Sequence, residues 1–199
     1  TGMPKGVAMP HSALVNLINW HQRDPDLSRP ARTVQFASCN FDVSFQEMMT
    51  TWCCGGTLVM ITEQTRRDPD LLWNTIDEAR IERLFMPYVM LQQLAMTAKG
   101  TVSTLRDIVS AGEALQLTPE IRGLVQALGN CRLHNHYGPT ESHVVTAFRL
   151  DLDTEKWPGQ APIGHPIQNT QVYVLDAIKN PVPIGVAGEL YIGGAGLAR

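Results

Sequence analysis

The chain has 199 residues, of which 44% are hydrophobic and 18% charged, with a formal net charge of −3; this balance is that of a folded protein and excludes a disordered chain. Lysine and arginine are scattered, with Arg66 and Arg67 the densest pair, so there is no basic stripe to follow a nucleic-acid backbone. Apolar runs are broken by Gly, Asn or charge before they could cross a bilayer and no secretory leader pattern opens the sequence, so the reading is a cytoplasmic protein with neither nucleic-acid nor membrane partners.

In chain order, short β-rich runs at 33–38, 57–61, 83–87, 105–111 and 131–135 alternate with helix-like stretches at 44–53, 68–81, 89–98 and 118–128. Strands alternating with helices predict βαβ crossovers, hence an α/β fold with a mostly parallel sheet and flanking helices. Asp68 before Pro69, and Thr118 before Pro119, have the order of an N-cap followed by proline at the first helical position. After about residue 150 the pattern changes to period-two runs, a proline-rich turn and paired glycines, which predicts a β-rich segment, antiparallel or barrel-like. Cys39, Cys53, Cys54 and Cys131 lack CxxC spacing, so a thiolate metal site is not expected; the adjacent pair is placed at a buried helix end.

Ligands of open α/β sheets settle beyond the carboxyl ends of the strands. Three unusual loops follow predicted strands there: "NFDVSFQE" (40–47), "SAGEAL" (110–115) and "NHYGPTES" (135–142). In the first, Asp42 reads either as a helix N-cap or as an anion at a pocket mouth that pairs with an ammonium group. In the last, Tyr137 can stack on a flat heterocycle, the Thr140 hydroxyl can bond a phosphate or carboxylate oxygen, and Glu141 is a hard oxygen ligand suited to Mg2+. The bland alternative is a turn with a surface carboxylate. The opening "TGMPKG" (1–6) can cradle phosphate oxygens with its backbone N–H groups, or be an ordinary turn.

"TGMPKG", "FDVSFQE", "NHYGPTES" and "GELYIGGAGLAR", in that order and at these separations, resemble the core motifs of the adenylate-forming superfamily, and specifically the adenylation domains of nonribosomal peptide synthetases. The resemblance covers the whole chain. It implies part of the large N-terminal subdomain, truncated at both ends, with residues 1–150 as its α/β part and 151–199 as its β-rich part. It also implies that an amino acid is activated with Mg-ATP, releasing pyrophosphate, and passed to the phosphopantetheine thiol of a carrier-protein domain among neighbouring synthetase domains.

Residue by residue, the resemblance implies that Thr1, Gly2 and Lys5 end the phosphate loop. Gly112, Glu113 and Ala114 line the adenine, with Asn135 and His136 at its edge, Tyr137 stacked on it and Gly138 at the corner. Thr140 holds the α-phosphate or substrate carboxylate and Glu141 binds Mg2+. Asp42 pairs with the substrate ammonium. The side-chain pocket falls to Asp42, Val43, Gln46, Leu84, Val109, Ala111, His136, Val144 and Val145, with Phe85 the alternative to Leu84 one residue on. This set is similar to that of proline-activating domains, with pipecolate or valine as the next candidates. The superfamily's mobile C-terminal subdomain, its lysine and its ribose-binding aspartate are absent from these residues, so the expectation is that they are inactive alone. A free-standing amino acid ligase and a non-catalytic module that kept the fold are the alternatives.

Overall fold

The five runs predicted as strands lie side by side, and a helical segment follows each of the first four and carries the chain back across the sheet, as parallel pairing requires. The structure, a computed structural model, describes residues 6–98 and 104–199. The helices are α1 (His11–His21), α2 (Val43–Cys53), α3 (Glu63–Arg67), α4 (Pro69–Glu78), α5 (Tyr88–Met96) and α6 (Pro119–Leu128). The strands are β1 (Arg32–Gln35), β2 (Thr57–Met60), β3 (Arg83–Met86), β4 (Asp107–Ala111), β5 (Arg132–Tyr137), β6 (Thr146–Arg149), β7 (His165–Pro166), β8 (Thr170–Leu175) and β9 (Glu189–Gly194).

One seven-stranded sheet has the order β2-β1-β3-β4-β5-β6-β7, parallel from β2 to β5 and antiparallel at β6 and β7. The sheet thus runs past residue 150, where the sequence pattern changes. β8 and β9 pair antiparallel as a separate two-stranded sheet. Both predicted caps form: Asp68 Oδ1 accepts from the N–H groups of Asp70 and Leu71 at 3.0 and 3.2 Å, and Thr118 Oγ1 from Ile121 at 3.3 Å. Sequence periodicity did not single out α1, α3 or β6.

The register sorts the sheet's side chains into two faces, because successive residues of a strand point to opposite sides. The row Leu84, Ile108, Leu133 faces α4, α5 and α6 in the main core, with Ile76, Leu91 and Ile121 fully buried. Each such side chain contributes about 1.5–3 kcal/mol by leaving water. The adjacent row, Phe85, Val109 and His134, lies on the other face, which also carries the buried polar residues Arg83, Asp107 and His136. There Arg83 Nη2 lies 3.2 Å from Asp107 Oδ2, with both side chains out of water. Burial pushes the Asp107 carboxyl upward, but His134 and Arg83 together override it and hold the group below its ordinary range. His21, packed near the same charges, is driven down to about 3, first by burial and then by Arg83 and His134, so it is neutral. Among the described residues no helix is long and apolar enough to cross a membrane. Cys54 is half-buried but Cys53, the last residue of α2, is exposed, which corrects the expectation that the pair is buried.

Candidate functional site

The loops after β1, β4 and β5 meet at the carboxyl edge of the sheet and enclose a cavity of about 680 Å³. It is lined by Asp42, Val43, Gln46, Ala111, Gly112, Glu113, His136, Tyr137, Gly138, Thr140 and Val144 from the sequence-derived set, joined by Phe36, Phe41, Phe85, Met86 and His143 among others.

Asp42 stands at the N-terminus of α2 but its side chain makes no capping bond, so the N-cap alternative does not hold. Asp42 lines the cavity, and its carboxylate makes no hydrogen bond or ion pair within the described residues. The backbone carbonyl of Asp42 is engaged: it accepts from His143 Nε2 at 3.0 Å. One turn deeper, Gln46 Nε2 meets His136 Nδ1 at 3.2 Å. His136 is buried and edge-on to Trp20, with ring centroids 5.3 Å apart; burial, then His134, His21 and His143, push it well below the usual histidine range. It is therefore a neutral wall. Gln46 Oε1 and His136 Nε2 are buried without partners.

Val43, Ala111 and Val144 form the apolar walls. Leu84 does not line the cavity: it is fully buried in the main core on the opposite face, and Phe85 lines the cavity instead. The physical reason is strand parity, since a shift of one residue turns a side chain to the other face. Val109 is also fully buried, but on the cavity face, packed behind the wall with Leu27, Phe85 and Val43. Val145 is buried and absent from the lining; its N–H bonds the carbonyl of Tyr137 at 2.7 Å.

On the other side of the cavity, Gly112 takes a left-handed φ of 86°, a turn that glycine makes without steric cost. Glu113 Oε2 accepts from the N–H of Val89 at 3.2 Å, at the start of α5. Half-buried Tyr137 lines the cavity. Ala114 is exposed and outside the lining, and Asn135 points to the opposite face, where its Nδ2 donates to the carbonyl of Pro162 at 2.9 Å. Glu141 is exposed on the same loop as Thr140 but does not line the cavity. Thr1, Gly2 and Lys5 lie outside the described residues. Ala198 N–H bonds the Glu141 carbonyl at 2.7 Å and Arg199 N–H bonds the Ala8 carbonyl at 3.1 Å.

The Glu141 carboxylate makes no side-chain bond within the described residues, and no group of three ligating side chains is present among them. A lone carboxylate fits Mg2+, which is held by one or two carboxylates together with phosphate oxygens and water, and not an all-protein metal cage.

Two residues without an assigned role in the sequence reading hold this arrangement. Glu47, fully buried, accepts at Oε1 from the N–H groups of Phe36 and Ala37 at 3.1 and 3.0 Å, fixing the loop after β1; burial pushes its carboxyl up to about 8 against the downward pull of those donors. His143 accepts at Nδ1 from the N–H of Val144 at 2.9 Å while its Nε2 meets Asp42. Burial lowers its pKa, against an upward pull from Asp42. Glu47 lay within one of the motif loops, but only its burial reveals its partners. His143 carried no periodic signal.

The whole chain, residues 1–199, matches the family described as AMP-binding enzyme. It is 36% identical over 202 residues to gramicidin S synthase 2 of Brevibacillus brevis and 37% identical over 207 residues to tyrocidine synthase 2 of Brevibacillus parabrevis. All of this chain is covered in both comparisons, and it spans 4% and 6% of those two relatives. With its parallel sheet and its motif loops gathered around one cavity, the chain belongs to the AMP-binding enzyme family.

Proposed function

We propose that this chain is the core of an adenylation domain that activates an amino acid, L-proline on our reading, and loads it onto a carrier-protein thiol in nonribosomal peptide synthesis. The observation that carries the proposal is Asp42: it lines a cavity walled by Val43, Phe85, Ala111 and Val144, and its side chain makes no hydrogen bond or ion pair among the described residues. A carboxylate left unpaired at an apolar wall is costly, and the ammonium of an amino acid relieves that cost. Proline brings a charged nitrogen with two N–H donors on a compact apolar ring. Branched aliphatic and aromatic walls suit that ring.

The roles of the other residues are those that the family resemblance implies. Tyr137 and Gly112, with Glu113, take the adenine, and Thr140 orients the amino acid carboxylate beside the α-phosphate. A carboxylate oxygen then attacks the α-phosphorus as pyrophosphate leaves. Mg2+, when bound by Glu141 and the phosphates, neutralises their charge. Catalysis of this kind is mostly positioning and electrostatics. The carrier thiol then attacks the aminoacyl carbonyl, releasing AMP.

The test is amino acid-dependent ATP–pyrophosphate exchange by the full-length protein across a panel of amino acids. Exchange that is strongest with proline supports the reading. Silence with proline and exchange with another amino acid overturns the specificity alone; silence with every amino acid favours a non-catalytic module. A free-standing ligase differs in its acceptor, so transfer of radiolabelled proline to a phosphopantetheinylated carrier domain separates it from a synthetase module.

A further inference from the structure

We propose that His143 is a positioning residue: an imidazole strut that sets the spacing between Asp42 and Thr140, and so between the two ends of the bound amino acid. The inference rests on the amino acid activation proposed above.

Two segments far apart in sequence form the substrate side of the cavity, the N-terminus of α2 and the loop from Gly138 to Val145. His143 joins them across 101 positions. Both ring nitrogens are committed. Val144 N–H donates to Nδ1 at 2.9 Å, so the hydrogen sits on Nε2, which donates to the Asp42 carbonyl at 3.0 Å. One neutral tautomer satisfies the side chain at both ends.

The loop is built to hold that ring in place. His143 has a left-handed φ of 55°, a conformation that persists only where the surroundings over-determine it. They do so here. The His143 carbonyl packs against Gly138, where a Cβ would collide with it, and Val145 N–H closes the loop onto the Tyr137 carbonyl at 2.7 Å. His143 as a whole is 7% exposed.

An α-amino acid carries its ammonium and carboxylate on one carbon. Asp42 grips the first and Thr140 meets the second, so the gap between the two protein segments must match that fixed span. A misplacement of about 1 Å at such a centre can cost on the order of 100-fold in rate. Without the strut, the Gln46–His136 pair still ties α2 to β5 and the Tyr137–Val145 bond still closes the loop. The site would persist but lose its spacing, and the loss should fall on amino acid turnover and leave nucleotide binding alone.

The experiment compares H143L and H143Q with wild type in the full-length protein, using proline-dependent ATP–pyrophosphate exchange and a separate titration with ATP alone. H143L removes both polar nitrogens: kcat for exchange is expected to fall about 100-fold while ATP affinity stays within about twofold. H143Q retains a donor of similar reach and is expected to regain about tenfold or more of that loss. Exchange by H143L within about threefold of wild type, equal losses in ATP affinity and turnover, or H143Q no better than H143L each overturn the strut. Should H143L not fold, H143Q decides: a folded variant retaining at least about a tenth of wild-type kcat supports it, and anything lower overturns it. Wild-type protein that exchanges with no amino acid overturns the activity itself, and the strut with it.

Discussion

Gly138 and His143 are in backbone contact across the loop that carries Thr140 and Glu141: a Cβ at position 138 would overlap the carbonyl oxygen of His143. The contact closes the loop into a fixed shape, and because both partners are backbone atoms neither can turn aside. G138A should therefore displace the Thr140 hydroxyl. Exchange activity is expected to fall by about 100-fold. Steady-state exchange kinetics check this, and activity within a few-fold of wild type would show that the loop yields.

The Asp42 side chain makes no hydrogen bond or ion pair among the described residues, which leaves it to serve the ligand. D42N keeps the shape and removes the charge. The amino acid kcat/KM should fall by about 100-fold or more, in the range found when one member of a desolvated charge pair is lost, with little change in the KM for ATP. Equal losses for both substrates would place Asp42 in a structural role.

Gln46 supplies the hydrogen bond that His136 Nδ1 makes in the floor of the cavity. Q46L leaves that nitrogen buried and unpaired, a cost of about 1–3 kcal/mol, which in a chain of this size lowers the melting temperature by roughly 2–4 °C per kcal/mol. Calorimetry on the full-length protein measures it. An unchanged transition would mean that His136 finds another partner.

Arg83 and Asp107 form a buried pair on the α1–α2 side of the sheet. D107N strands the guanidinium, and a broken buried pair typically costs about 3–5 kcal/mol. The double variant R83M/D107L should recover part of that loss, since it removes both charges. Denaturant titrations of the three proteins decide, and a double variant less stable than D107N would refute the account.

Burial raises the Glu47 carboxyl to about 8. The folded chain thus keeps a proton that the unfolded chain releases above its ordinary value, so this stabilisation is complete below pH 4.5 and fades as pH rises through about 8. E47Q is neutral throughout. Melting temperatures of wild type between pH 5 and pH 9 should fall relative to E47Q. Parallel curves would show that Glu47 is ionised across the whole range.

The parallel sheet was legible because its strands are short β-rich runs separated by helical stretches, and the caps at Asp68 and Thr118 because proline follows each. β6 escaped because Thr146–Arg149 lies beside the motif loop and its pairing partner is chosen by tertiary contact. The cavity's rim was legible for a different reason: ligand-binding loops hold residue types at fixed offsets, as in "NHYGPTES", so their chemistry can be read along the chain.

The sequence by itself determined the class of fold, the motif loops and the identity of the groups with chemistry to offer, all of which depend on local order. Only the tertiary structure decided that Phe85 and not Leu84 walls the cavity, that Asp42 caps nothing, and that Glu47 and His143 brace the loops. Those outcomes depend on strand parity, burial and bonds between residues as much as 101 positions apart, and no local pattern of residues encodes a partner at that distance.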